Sequence, residues 1–71
     1  MAKPILPISE ETRQELLLWL TNELAYHAGQ CERLSDLPVE EGLQAWRAHD
    51  LSRLRCSQLL HILNNSRGLD A

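Results

Sequence analysis

The chain has 71 residues, of which 44% are hydrophobic and 24% charged, and its formal net charge is −3. This length allows one domain and lies near the lower limit for building an adequate core alone. The composition argues against disorder, and the acidic balance does not favour nucleic-acid binding. No apolar run reaches transmembrane length, so no membrane partner is expected. Two cysteines are too few for a disulfide scaffold, which predicts free thiols in a cytoplasmic protein.

Two closely spaced prolines mark residues 1–8 as an extended N-terminal arm. Pro4 and Pro7 prevent a helix there, and the apolar residues between them indicate that the arm packs along the helices. Ser9 is a suitable N-cap for a helix that follows. The sequence therefore predicts a single helical domain over residues 9–68 and a frayed tail over residues 69–71.

The first helix is predicted over residues 9–34 and runs through Gly29. Its inner face is a seam with alternating spacings of three and four, formed by Leu17, Leu20, Leu24, His27, Cys31 and Leu34. Trp19 and Tyr26 lie a heptad apart on the flank of this seam. Such a flank is typical either of ordinary boundary packing or of a partner-binding face.

Pro38 fits the first position of a second helix, which is predicted over residues 38–66. A short turn between helices of nearly equal length predicts an antiparallel hairpin, so the expected fold class is all-α. Counting away from the turn gives the residues that should face the first helix. They are Val39 (opposite Leu34), Leu43, Trp46 (opposite His27) and Leu54.

The second helix carries more apolar residues than one face requires. Ala48, Leu59, Ile62 and Leu63 point away from the predicted hairpin contact. A helix that is apolar on several sides is buried on several sides. Two hairpins that pack as a four-helix bundle bury both faces, and a closed two-fold dimer is the commonest assembly of this kind. The sequence therefore predicts a homodimer with these four residues at its interface.

A different architecture follows if Asp50 caps a new helix after a break at His49. The chain would then form a three-helix cluster, with helices over residues 9–34, 38–48 and 51–65. The second and third helices of this cluster would have the outline of a helix-turn-helix. Arginine side chains commonly contact phosphates and bases. This alternative predicts a nucleic-acid-binding transcriptional regulator that uses Arg47, Arg53 and Arg55.

Reactive side chains in this sequence do not form a recognisable catalytic or metal-binding motif. His27 and Cys31 have the i, i+4 spacing of two ligands, but a structural zinc needs four that converge. The sequence has no glycine-rich phosphate loop and no nucleophile elbow. We therefore expect no metal, no cofactor and no enzyme activity.

The leading hypothesis is a small non-catalytic helical protein that binds another protein, as a regulator, inhibitor or adaptor of bacterial or phage type. The helical-hairpin layout is shared by many unrelated small bacterial, plasmid and phage regulators, which is a likeness of shape alone. Aromatic and arginine side chains are the usual anchors of protein interfaces. The predicted binding residues are Trp19, Tyr26, Arg47, Arg53 and Arg55.

Overall fold

The computed structural model describes residues 2–70 and consists of two long helices and two short strands. Their order along the chain is β1 (Ile5–Ser9), α1 (Glu10–Leu34), α2 (Val39–Asn64) and β2 (Arg67–Leu69). The two helices pack side by side as an antiparallel hairpin, which confirms the predicted hairpin. The all-α prediction was incomplete, because β1 and β2 form a parallel two-stranded sheet.

α1 begins at the residue that the sequence indicates. The Ser9 hydroxyl accepts a hydrogen bond from the Thr12 backbone N–H at 3.0 Å, and Glu10 and Glu11 occupy the first turn. Carboxylates at this end interact favourably with the helix dipole. The helix continues through Gly29 to Leu34, as predicted.

α2 is one unbroken helix through His49 and Asp50, so the three-helix alternative was wrong. Asp50 does not cap a new helix, because its carboxylate accepts hydrogen bonds from the Arg53 side chain one turn later. α2 ends at Asn64, two residues before the predicted limit at residue 66. It ends there because the chain leaves the helix to form β2, which pairs with β1.

The register between the helices differs from the one predicted by counting away from the turn. Leu34 lies opposite Gly42 rather than Val39, since a Cβ atom on Gly42 would lie 3.0 Å from the Leu34 carbonyl oxygen. The chain uses the first turn of α2 to return to the surface of α1. The residues of α2 that face α1 are therefore shifted along the helix. Val39 and Leu54, predicted to face α1, are consequently 69% and 45% exposed.

The residues of α2 that do face α1 again alternate at spacings of four and three. They are Gly42, Trp46, His49, Arg53, Cys56, Leu60 and Leu63. Cys56 and Leu63 are buried against Leu20 of α1, and Leu60 packs beside them. The predicted seam of α1 is its inner face, with Leu20 and Cys31 buried. The heptad seam was therefore predicted correctly for α1 and displaced for α2.

A clasp of hydrogen bonds closes the open end of the hairpin. The Arg13 guanidinium donates to the Glu10 carboxylate at 2.6 Å and to the Leu63 carbonyl oxygen at 2.7 Å. The same carboxylate accepts the Gly68 backbone N–H at 2.8 Å. Glu10 and Arg13 thereby join the start of α1 to the end of α2 and to β2.

β2 contacts the start of α1 so closely that only glycine fits at its centre. A Cβ atom at Gly68 would lie 2.5 Å from the Glu10 backbone nitrogen, closer than real Cβ contacts come. Leu69 pairs with Ser9 of β1, whereas the sequence predicts that residue 69 belongs to a frayed tail. Residue 71 of that tail and residue 1 of the arm lie outside the described residues.

The hairpin is long and thin, so many of its large apolar side chains stay exposed. Its Cα atoms span 51 × 20 × 15 Å, and the radius of gyration is 15.6 Å. A compact domain of this length has a radius of gyration of about 11 Å. The buried cluster of Leu20, Cys56 and Leu63 lies toward the strand end, where Leu6 and Ile8 of β1 pack against it.

Candidate binding face

The two broad sides of the hairpin can be assigned from the inner seams. In an antiparallel pair of helices with heptad seams, the residues one position before each inner residue lie on the same side in both helices. Trp19 and Tyr26 hold this position in α1, and Ala48 holds it in α2. The contact of the Tyr26 ring with the His49 ring, at 5.9 Å between centroids, agrees with this assignment.

One broad side, which we call the aromatic face, carries a set of apolar side chains that is interrupted by Glu23 and Arg55. Its members are Leu16, Trp19, Tyr26, Ala48, Leu59 and Ile62. The four largest exposed side chains among them are accessible over about half their surface or more, from 48% for Leu59 to 57% for Trp19. On the opposite side the exposed Leu18, Leu43 and Leu54 are accompanied by polar residues that include Thr21, Arg47 and Ser57. The aromatic face carries both exposed aromatic side chains, Trp19 and Tyr26, so it is the side better suited to binding an apolar partner.

The structure brings together most of the residues that the sequence assigned to two separate sites. Trp19 and Tyr26 of the predicted partner-binding set lie on the aromatic face, together with Ala48, Leu59 and Ile62 of the predicted dimer interface. These residues form one surface, so a single partner that covers the face contacts both sets.

Leu63 does not belong to that surface, although the sequence places it at the dimer interface. Its side chain is only 7% exposed and is buried against Leu20 and Cys56 within the same chain. The displaced register explains the error, because Leu63 lies one position after Ile62 and therefore points into the hairpin. In the folded hairpin Leu63 therefore has little surface left to contact a second copy.

The three arginines of the predicted binding set occupy different surroundings. Arg55 is exposed and lies on the aromatic face between Ala48 and Ile62. Arg47 is exposed on the opposite side. Arg53 is half-buried at an inner position, and its Nη2 lies 2.6 Å from the Asp50 carboxylate. The hydrogen bonds to the Asp50 carboxylate, and then its negative charge, raise the pKa of Arg53. The three therefore do not form one basic patch.

A pair of histidines crosses the middle of the hairpin, where the predicted register placed Trp46 opposite His27. His27 Nδ1 and His49 Nδ1 lie 2.8 Å apart, and Glu23 Oε2 lies 3.4 Å from His27 Nε2. A hydrogen bond between two ring nitrogens needs one donor and one acceptor, so only one of the two Nδ1 atoms carries a hydrogen. The glycine at position 42, which allows the close approach to Leu34, was the sequence signal that could have given this register.

The described residues offer no group of three or more His, Cys, Asp and Glu side chains that could hold a metal ion. Within residues 2–70, no helix has the combination of length and apolar character that crossing a membrane requires. Cys31 and Cys56 are free thiols that are buried in the seam. No protein-family model, curated protein or solved structure matches this chain.

Proposed function

We propose that this chain is a small non-catalytic helical protein that works through protein–protein binding, as a regulator, inhibitor or adaptor. We further propose that its aromatic face pairs two copies into a four-helix bundle. The observation that carries both statements is the exposed apolar side formed by Trp19, Tyr26, Ala48, Leu59 and Ile62. Large exposed apolar patches mark protein interaction sites.

The surface area of the hairpin supports a second copy as the occupant of this face. The chain exposes 5483 Å². A compact monomer of this mass exposes about 4500 Å², so the excess is about 1000 Å². In a standard protein interface each partner buries roughly 800 Å². A partner that covers the aromatic face would therefore bring the exposed area close to that of a compact protein.

The charges on the aromatic face are compatible with a two-fold axis along the hairpin. The contacts His27–His49 and Arg13–Leu63 set a register in which Glu23 is level with Arg53. Glu23 and Arg55 thus differ in height by about two residues, or about 3 Å of helix rise. An axis parallel to the helices places each α1 over the α2 of the other copy, so that Glu23 of one copy approaches Arg55 of the other.

Two substitutions of the same kind test the face. Leu59 and Leu54 are both in α2 and are 48% and 45% exposed, but only Leu59 lies on the aromatic face. Leu59→Asp is expected to give a monomer in size-exclusion chromatography with light scattering, while Leu54→Asp keeps the dimer. Circular dichroism of both variants shows whether the helices remain. Equal masses for the two variants would contradict the proposed interface.

A charge exchange gives a second test that does not depend on removing an apolar side chain. Arg55→Glu places like charges opposite each other across the proposed two-fold axis, so it is expected to weaken the dimer. Adding Glu23→Arg restores opposite charges and is expected to recover the dimer. A double variant that stays as weak as Arg55→Glu argues against this axis.

The nucleic-acid alternative stays a prediction, and its chemistry is weakened by the position of Arg53. Its guanidinium is already paired with Asp50, which leaves Arg47 and Arg55 on different sides of the hairpin. Binding to DNA falls steeply with salt because counterions are released. A fluorescence-anisotropy titration with duplex DNA at low and physiological salt therefore separates the two functions.

A further inference from the structure

The hydrogen bond between His27 and His49 divides the hairpin into two halves that are held together in different ways. The half that carries the strands, which we call the strand half, contains the buried apolar cluster and the clasp. The other half, residues 28–48, which we call the turn half, has Cys31 and Gly42 as its buried residues. Segments with few buried contacts open at the lowest cost in free energy, so the histidine pair lies where it decides whether the turn half stays closed.

The closed pair of rings has room for one added proton but not for two. With both rings neutral, one Nδ1 donates its hydrogen to the other Nδ1, which is 2.8 Å away. A proton added at Nε2 of the donor ring leaves this hydrogen bond in place and makes it charge-assisted. A second added proton has to bind the accepting Nδ1, which brings two N–H groups and two positive charges face to face. The rings then have to separate.

On α1, one carboxylate lies next to the pair. Glu23 Oε2 is 3.4 Å from His27 Nε2, and the Glu23 side chain is 38% exposed. Its negative charge favours the first added proton, while screening by water limits its effect on a second. Tyr26 contacts both rings edge-on, and Cys31 lies one turn beyond His27 with its Sγ 3.7 Å from the Trp46 carbonyl oxygen. The negative charge from α1 is therefore enough to balance one added proton.

On α2, two opposite charges near the pair largely cancel. Asp50 follows His49 in the sequence, and its carboxylate accepts hydrogen bonds from the Arg53 guanidinium at 2.6 and 3.2 Å. Arg53 holds an inner position one turn beyond His49, so its positive charge opposes a second proton on the pair. The groups on both helices thus favour a pair that carries one added proton.

We propose that the His27–His49 pair is a pH-sensitive latch, which holds the turn half closed near neutral pH and releases it as the pH falls toward about 5. Free imidazole titrates near pH 6.5, so in an opened hairpin each ring takes up its own proton. The open state then binds one proton more than the closed state. Below about pH 6.5 the ratio of open to closed chains should therefore rise by up to about tenfold for each pH unit. The latch contributes stability above this range and loses it as the pH falls.

The clasp keeps the strand half closed over the same range of pH. Hydrogen bonds from Arg13, then from Gly68 and Gln14, hold the pKa of Glu10 well below its ordinary value of 4.5, so its carboxylate stays ionised while the histidines gain protons. Mild acid therefore releases the turn half, and only stronger acid reaches the clasp. The latch works within one chain, whether or not two copies pair through the aromatic face.

The two buried cysteines report on the two halves. Cys31 lies in the turn half and Cys56 in the strand half, and each is 9% exposed. The experiment alkylates the full chain with N-ethylmaleimide at one protein concentration and follows each cysteine by mass spectrometry, with glutathione at each pH as the correction for the reactivity of a free thiol. Between about pH 7.5 and about pH 5.5, the corrected rate at Cys31 should rise by about tenfold. At the lower pH, Cys56 should react more slowly than Cys31.

Matched substitutions of histidine identify the titrating groups. In His27→Asn the amide oxygen takes the place of Nδ1 and accepts from His49 in either charge state, so the rise in the Cys31 rate should be absent. His49→Asn also leaves one histidine in the pair and should have the same effect. His61→Asn removes an exposed histidine of the strand half and should leave the rise unchanged. Circular dichroism establishes that the variants are helical.

Imidazole nitrogen NMR spectra of the natural chain count the protons without any substitution. At a pH where the exposed His61 is fully charged, the folded pair should carry one added proton. The proposal is overturned if both rings of the pair are fully charged while Cys31 stays protected, or if the Cys31 rate does not rise. It is equally overturned if Cys56 reacts as fast as Cys31 at about pH 5.5, or if the rise persists in the folded His27→Asn and His49→Asn variants.

Discussion

His27 Nδ1 lies 2.8 Å from His49 Nδ1 across the middle of the hairpin, so one ring donates a hydrogen bond and the other accepts it. Glu23 Oε2 is 3.4 Å from His27 Nε2, a position from which it can accept a hydrogen bond from an N–H at that nitrogen. In that arrangement His27 Nδ1 is the acceptor and His49 Nδ1 carries the hydrogen. The Tyr26 ring makes edge-on contacts with both imidazoles, at 5.1 Å and 5.9 Å between centroids.

This contact predicts strong coupling between the two histidines. Each single change, His27→Ala or His49→Ala, should lower the free energy of unfolding by about 1–3 kcal/mol, because the remaining ring loses its partner. The double variant should lose less than the sum of the two, by about 0.5–3 kcal/mol. Urea denaturation at one fixed protein concentration measures all four chains. Simple additivity would show that the two rings do not interact.

Gly29 should be replaceable with a gain in stability. It lies inside α1, and a Cβ atom there would meet nothing within 4 Å. Alanine costs less backbone entropy than glycine in a helix, so Gly29→Ala should raise the free energy of unfolding by about 0.5–1 kcal/mol. Gly68→Ala is the contrasting control, because its Cβ would lie 2.5 Å from the Glu10 nitrogen. Thermal denaturation should therefore move in opposite directions for the two variants.

The clasp at Glu10 should make the fold sensitive to acid. Hydrogen bonds from Arg13, then from Gly68 and Gln14, hold the pKa of this carboxyl well below its ordinary value of 4.5. Because the pKa of Glu10 is lowered in the folded state, the stability that its ionised carboxylate contributes is fully present above the ordinary pKa of 4.5. This stability is lost as the pH falls below that value. Between neutral pH and about pH 3, the free energy of unfolding should therefore fall less in the Glu10→Gln variant than in the natural chain. Urea denaturation at both pH values tests this difference, and equal losses would contradict it.

Leu63 and Leu59 should respond to the same substitution in different ways. Leu63→Ala removes a buried side chain and should lower the free energy of unfolding by about 2–5 kcal/mol. Leu59→Ala removes a side chain that is 48% exposed on the aromatic face, so its main effect should be on self-association. Denaturation and light scattering on both variants separate the two roles. If Leu63→Ala changed only the association, the inward position of Leu63 would be contradicted.

Local signals in the sequence predicted the hairpin but not the way its helices meet. The Ser9 cap and the seam through Leu20 and Cys31 were predictable, since capping and heptad spacing depend on nearby residues. The register of the two helices was missed because it depends on where α2 first contacts α1 after the turn, which is at Gly42. Leu63 was consequently assigned to the outside. The two-stranded sheet was missed because its pairing joins residues at opposite ends of the chain.

Of the candidate site, the residue types were predictable and their grouping was not. Trp19 and Tyr26 stood out by their heptad spacing, and Leu59 and Ile62 by their excess over one apolar face. That these four residues share one side follows only from the corrected register.

Sedimentation equilibrium of the natural chain tests the central proposal most directly. The account predicts a species of twice the 8.1 kDa chain mass at micromolar concentration, with the Leu59→Asp variant at the mass of a single chain. Circular dichroism on the same samples establishes that they are helical. A natural chain that is folded and sediments as a single copy at micromolar concentration would contradict the proposed pairing through the aromatic face.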